Sequence, residues 1–271
     1  MSVIKNHDLT QIKAAGALGK PILKALVQSN KFNITVLTRS TSTSSHTYPS
    51  SVTVLPVNFD SIPSLTAALQ SQKIDAIVSS VGVDGLLGQK LLIDTALAAG
   101  AVAAKNPSFT YTYIRNGAFL DWGLEYNFIL NISSGKPSIY DGGDKLFSAT
   151  TLETIAQSVV AVLTKFEETK NRALYIQDLQ TSQNRLLSIV KKISPEKKWE
   201  VVPVETADII KSSDEKLARG DVTMEVMAGY IIAWIFGERL ESDWKKTDNE
   251  LLGLKEKTVA ELEAIVKKYV K

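Results

Sequence analysis

An α/β fold on a mostly parallel sheet is what this sequence predicts, from three observations. Strand-like runs rich in β-branched residues alternate with helical apolar stripes through the first half of the chain. A glycine turn, Ala14-Ala15-Gly16-Ala17-Leu18-Gly19, opens the first of those helices. The strand after that helix ends in Arg39, and no acidic residue occurs from Val36 to Ser51. Together they predict a doubly wound, Rossmann-type sheet with a smaller C-terminal α+β lobe. The expected division is a Rossmann domain over residues 1–117 and about 146–180, and a lobe over 118–145 and 181–271.

The elements follow from residue spacing. After the glycine turn, Ile22, Leu23, Leu26 and Val27 share one helix face as far as Asn30. Phe32–Leu37 and Val52–Val57 read as strands, separated by a Ser/Thr-rich loop over Ser40–Ser51. Pro63–Gln70 is a short helix with Ser61 placed to cap it. Ile74–Val81 is a buried strand, broken at Gly82, and Leu86–Ala99 carries the next apolar helical stripe. Phe109–Arg115 alternates as a strand should, and Pro137–Gly143 enters a turn. Further on, Ala173–Gln177 is a short strand. Thr151–Lys165, Thr181–Ile193, Thr206–Lys211 and Thr258–Val270 read as helices, and the greasy run Val226–Gly237 as a buried one. The segment before the glycine turn is the weak link. In Leu9-Thr10-Gln11-Ile12, Gln11 stands where a central strand wants an apolar side chain.

The glycine turn and Arg39 carry chemistry. Glycines between a strand and a helix let the backbone approach a pyrophosphate, whose charge then rests on the helix N-terminus. Gly16 and Gly19 occupy the last two positions of a G-x-x-G-x-x-G pattern, and Lys13 falls where the first glycine belongs. Such a turn alone specifies little, and an ordinary helix start with packing glycines is the plain alternative. Arg39 lies 20 residues beyond Gly19. At that place an acidic side chain holds the ribose 2′-hydroxyl of NAD, whereas arginine accommodates the 2′-phosphate of NADP. The pair therefore favours NADP(H) over NAD(H). Ser79-Ser80-Val81-Gly82 ends the fourth strand, on the side where open α/β sheets bind ligands.

Composition removes several functions. The chain has 271 residues, 31 Lys plus Arg, 29 Asp plus Glu and no cysteine. A net charge of +2 leaves no electrostatic footprint for nucleic acid or an anionic membrane. The lack of cysteine excludes disulfides, cysteine-ligated metals and a thiol nucleophile, and suits a reducing compartment. No secretory pattern or membrane-spanning run is present, so a cytoplasmic protein is expected, and two N-x-S/T sequons at Asn33 and Asn131 read as chance. His7 and His46 make neither a triad nor a metal site, and no metal site is expected. None of the eight tyrosines has lysine four residues later, so no Tyr-x-x-x-Lys pair exists and the catalytic residues stay open. Tyr140-Asp141-Gly142-Gly143-Asp144 fits a structural turn better than an acid–base pair. The tryptophans at 122, 199, 234 and 244 either line a flat aromatic pocket or pack the lobe.

Taken in order, several stretches resemble the NmrA-like family of atypical short-chain dehydrogenases, especially its fungal isoflavone-reductase-like members. They are Gly16–Leu26, Asn33–Arg39, Ile77–Gly82, Lys90–Asp94, Asn106–Thr112, Asn116–Gly123 and Tyr140–Asp144. The resemblance covers most of the chain. It implies an NADP-type Rossmann domain with a lobe that shapes a substrate pocket. Gly16, Leu18, Gly19, Thr38, Arg39, Val81 and Gly82 would line the cofactor, and Asn116, Gly117 and Phe119 would flank its nicotinamide end. Two departures stand out. His7–Lys13 does not look like the family's apolar first strand. After Gly100, a strand and much of a helix are absent, and with them the lysine proposed to act in catalysis; Lys105 is not at the matching place. The expected function is an NADPH-dependent reductase of a small, phenolic-type molecule. A non-catalytic, dinucleotide-binding redox regulator with a protein partner is the alternative. A scaffold that has lost its cofactor, with Lys13 blocking the turn, is a third.

Overall fold

The computed structural model describes residues 7–12, 14–40, 47–82, 89–98, 110–238 and 240–270. The chain divides into two compact units, Met1–Thr112 with Val159–Arg172, and Tyr113–Ser158 with Ala173–Lys271.

The first unit is a four-stranded parallel sheet. Its elements are β1 (His7–Ile12), α1 (Gly19–Ser29), β2 (Phe32–Arg39), β3 (Val52–Val57), α2 (Ile62–Ser71), β4 (Ala76–Ser79) and α3 (Gln89–Ala98). The strand order is β3-β2-β1-β4, the order in which a doubly wound sheet reverses direction beside its first strand. The segment that looked unlike a strand is thus a central one, paired with β2 on one side and β4 on the other. Gln11 is accommodated there by a hydrogen bond. Its Nε2 donates to Gly19 O at 2.9 Å, tying β1 to the start of α1.

Side-chain alternation divides the sheet's faces. Leu9 pairs with Ile34 and Gln11 with Val36, so these four share the face on which Gln11 reaches α1. The opposite face is covered by α2, where Leu37 and Val57 pack on Leu65, Ala68 and Leu69. Ser61 caps α2 as expected, its hydroxyl accepting from Ser64 N at 3.3 Å.

The second unit mixes short strands with helices. It holds β5 (Thr112–Arg115), β6 (Ala118–Phe119), α4 (Leu120–Glu125), β7 (Ser138–Tyr140) and β8 (Phe147–Thr150). Next along the chain come α5 (Leu152–Thr164) and α6 (Phe166–Thr169), of which the part from Val159 on belongs to the first unit, then β9 (Arg172–Tyr175), β10 (Leu179–Thr181) and α7 (Gln183–Ile193). The chain ends with β11 (Val202–Val204), α8 (Thr206–Ala218), α9 (Met224–Phe236), α10 (Asn249–Leu252) and α11 (Val259–Lys267). The strands form small ladders, β10-β8-β6, β11-β7 and β5-β9. The helix read at Thr206–Lys211 runs on to Ala218, because α8 packs along α9. The strand read at Pro137–Gly143 is only Ser138–Tyr140, because three consecutive residues beyond it take positive φ. The core centres on Leu120, Phe147, Leu186 and Phe236, with Phe147 and Phe236 edge to face at 5.3 Å. Full burial of each such side chain contributes about 1.5–3 kcal/mol. Among the described residues no helix is long and apolar enough to cross a membrane.

Candidate functional site

In the first unit, strand register decides where the site residues fall. Ile12 stands level with Leu37 of β2 and with Ser79 of β4. Immediately beyond that level come the Gly16–Gly19 turn, Thr38 with Arg39, and Val81 with Gly82. Seven of the sequence-selected residues therefore gather at the carboxyl ends of three adjacent strands, the ligand-binding end of an open parallel sheet.

The start of α1 follows the glycine turn directly. Leu18 stands at its N-cap with no side-chain cap, and no acidic residue lies in its first turn. Of its first three residues Pro21 has no N–H and Lys20 N is already bonded, which leaves the Gly19 amide and the helix dipole as the positive end. The turn closes through backbone alone, Lys20 N donating to Gly16 O at 3.0 Å. Gly19 is buried and Arg39 exposed. Val81 turns its side chain into the core beneath α2, so this turn offers backbone to a ligand. Lys13 and His46 lie outside the described residues.

In the second unit, Asn116 and Gly117 form part of the wall of a cavity of about 710 Å³. Its other walls are Arg115, Tyr175, Trp234 and Trp244, with the charged segment Glu241–Lys246 along the rim. Gly117 has φ +63°, and a Cβ there would come within 2.2 Å of Ser148 O, so only glycine lets β6 lie this close to β8. Asn116 is held by its carbonyl, which accepts from Thr150 Oγ1 at 2.5 Å. Phe119 does not line this cavity. It packs edge-on against Trp122, ring centroids 6.4 Å apart.

Two of the four tryptophans therefore wall the cavity, Trp234 and Trp244, with ring centroids 6.0 Å apart. Trp122 belongs to a cluster with Phe119, Tyr126 and Phe128, and Trp199 lies under the Lys197 ammonium at 4.7 Å. The Tyr140–Asp144 motif is a structural turn. Asp141 accepts from Thr206 N at 2.7 Å, and Asp144 accepts from Asn184 Nδ2 at 2.7 Å. No group of three or more potential metal ligands occurs among the described residues.

Two carboxylates, the buried Asp178 and the half-buried Asp121, cap α5. Asp178 Oδ2 accepts from Thr151 N at 2.8 Å, and Asp121 Oδ1 from Leu152 N at 3.1 Å. Desolvation holds the Asp121 carboxyl above its ordinary range, against the opposing pull of those backbone N–H groups. The sequence offered no sign of Tyr175 or Arg115 as pocket residues. The available signal was adjacency, since Arg115 ends a strand directly before Asn116-Gly117.

No protein-family model matches the chain. The oxidoreductase poxI of Penicillium oxalicum is 30% identical over 305 aligned residues, spanning 95% of this chain and 93% of that protein. The chain belongs to the NmrA-like, isoflavone-reductase-like family of oxidoreductases. The alignment is longer than the 271 residues of this NmrA-like chain, so the relative carries segments that it lacks. Its fold matches solved pinoresinol–lariciresinol and phenylcoumaran benzylic ether reductases with TM-score 0.75 and 16% identity, over 98% of this chain and 100% of the other. A structure described as AtPrR2 with NADP+ and (+)-pinoresinol gives TM-score 0.73 at 15% identity, over 98% and 99%. At these identities the likeness establishes the shared Rossmann-type fold.

Proposed function

We propose that this NmrA-like protein is an NADPH-dependent reductase of a small aromatic molecule. The observation that carries the reading is the level gathering of the glycine turn, Thr38-Arg39 and Val81-Gly82 at three adjacent strand ends. In the first unit, the uncapped start of α1 would hold the pyrophosphate, and Arg39 the 2′-phosphate that distinguishes NADP from NAD. In the second, Asn116 and Gly117 would flank the nicotinamide by family resemblance, and both wall the cavity. The aromatic walls Tyr175, Trp234 and Trp244 suit a planar substrate. That (+)-pinoresinol occupies a neighbour of the same fold supports a phenolic class. When bound, the reduced nicotinamide supplies a hydride. This chain's residues orient it, exclude water and provide a proton.

NADPH oxidation over a panel of aromatic aldehydes, ketones and quinones tests the reading. Turnover above background is the expected result. Tight NADPH binding with silence across the panel would instead favour the dinucleotide-binding regulator. That second reading draws on the missing Tyr-x-x-x-Lys pair and the absent lysine segment.

A further inference from the structure

Tyr175 and Arg115 form a pair to which the cofactor reading above assigns no role. Arg115 Nη1 donates to Tyr175 Oη at 2.6 Å, and the guanidinium carbon lies 5.2 Å from the phenol ring centroid. Arginine has no acceptor, so the phenol oxygen accepts in this bond and keeps its own O–H proton for another partner.

The rest of the surroundings fix the phenol in place. Tyr175 N donates to Asp248 Oδ2 at 2.9 Å, and Asp248 N returns a bond to Tyr175 O at 2.7 Å. Trp244 packs edge-on against the phenol at 5.0 Å. Trp244 is anchored in turn, its N donating to Ser148 Oγ at 2.7 Å and its O accepting from Gln180 Nε2 at 2.9 Å. Such support gives a functional hydroxyl the fixed geometry that proton transfer requires. Both members of the pair share the cavity wall with Asn116 and Gly117.

We propose that Tyr175, positioned by Arg115, is the proton donor of this site. The proposal rests on the reductase reading above. For a carbonyl substrate, a bound dihydronicotinamide would supply the hydride, and with it the two electrons, that reduce the carbonyl carbon. As the C=O π pair moves to oxygen, the Tyr175 O–H bond breaks and its proton completes the alcohol. The Tyr175 oxygen, still held by Arg115, recovers a proton from water. Tyr175 is thus a catalytic residue and Arg115 a positioning residue.

The test uses the full chain with 4-nitrobenzaldehyde as the probe. Its binding without cofactor is read by quenching of tryptophan fluorescence, and its reduction by single-turnover NADPH oxidation. Tyr175→Phe keeps the ring and its packing. It should leave the melting temperature and NADPH affinity unchanged and weaken probe binding about 5-fold. It should slow the single-turnover rate by about 100-fold or more. Arg115→Met should slow the same step, whereas Arg115→Lys, which keeps a donor to the phenol oxygen, should restore most of the rate. A Tyr175→Phe variant that reduces the probe as fast as the unaltered protein overturns the proposal. So does failure of the unaltered protein to bind the probe. Should the protein bind NADPH and the probe yet never reduce it, the reductase reading fails. The binding arm then still decides whether the Tyr175 hydroxyl contacts the ligand.

Discussion

The two units build their sites by different means. In the first, one register across β2, β1 and β4 brings the turn, Arg39 and Gly82 to the same level, and the contacts a ligand would use are largely backbone. In the second, the cavity walls come from residues 115–117, 175, 234 and 244, and the buried hydroxyls of Thr150 and Ser148 hold Asn116 and Trp244 in place. A backbone site is robust to most side-chain exchanges and sensitive to sheet geometry. A side-chain pocket depends on a few anchors, each of which is costly to remove.

The largest expected effect falls on the buried polar network of the second unit. Asp178 is fully buried and accepts from Thr151 N, Thr151 Oγ1 at 2.7 Å and Thr154 Oγ1 at 2.7 Å, with Lys257 3.4 Å away. Asp178→Ala strands all of these partners and should cost about 4 kcal/mol in a urea titration. A cost below about 1 kcal/mol would show that the capping network is not an anchor.

Gly117→Ala comes next. A positive φ and a Cβ 2.2 Å from Ser148 O should together cost about 3 kcal/mol and abolish probe binding in the cavity. In the first unit the corresponding change is milder and of opposite sign. Gln11 Oε1 is buried without a partner among the described residues. Gln11→Leu gives up the bond to Gly19 O and removes that orphaned acceptor, and should raise stability by about 1 kcal/mol. A loss would mean that the tie between β1 and α1 outweighs the buried oxygen.

The smallest effect concerns pH. Burial raises the Asp121 carboxyl, so the native state keeps its proton to higher pH than the unfolded chain does. The contribution of this group is full below the unfolded value and is lost as pH rises through the raised, native one. Asp121→Asn should therefore flatten that part of the stability–pH curve. An unchanged slope through the carboxylate range would contradict the assignment.

The same contrast explains what was legible in the sequence. The first unit repeats short strand–helix units whose periodicity is local, so β2, β3 and α1 were visible, as was the place of Arg39. β1 was misjudged because Gln11 breaks the apolar pattern, and its compensation lies eight residues away at Gly19. The second unit has strands of only two to four residues, too short to carry a period. β6, β8, β10 and β11 exist because of partners far along the chain, as when Ala149 stands between Ala118 and Leu179. Asn116 and Gly117, which line the cavity, were singled out through family resemblance. Tyr175 was not, because Arg115 lies 60 residues away from it and no spacing rule links them.

We propose that the first unit holds an NADP-type dinucleotide through Arg39 and the start of α1. Titrating NADPH and NADH into the protein, and into Arg39→Ser, tests it most directly. NADPH should bind well ahead of NADH, and Arg39→Ser should weaken NADPH by about 10-fold while leaving NADH nearly unchanged. Equal affinity for both nucleotides in the unaltered protein, or no binding of either, would contradict it.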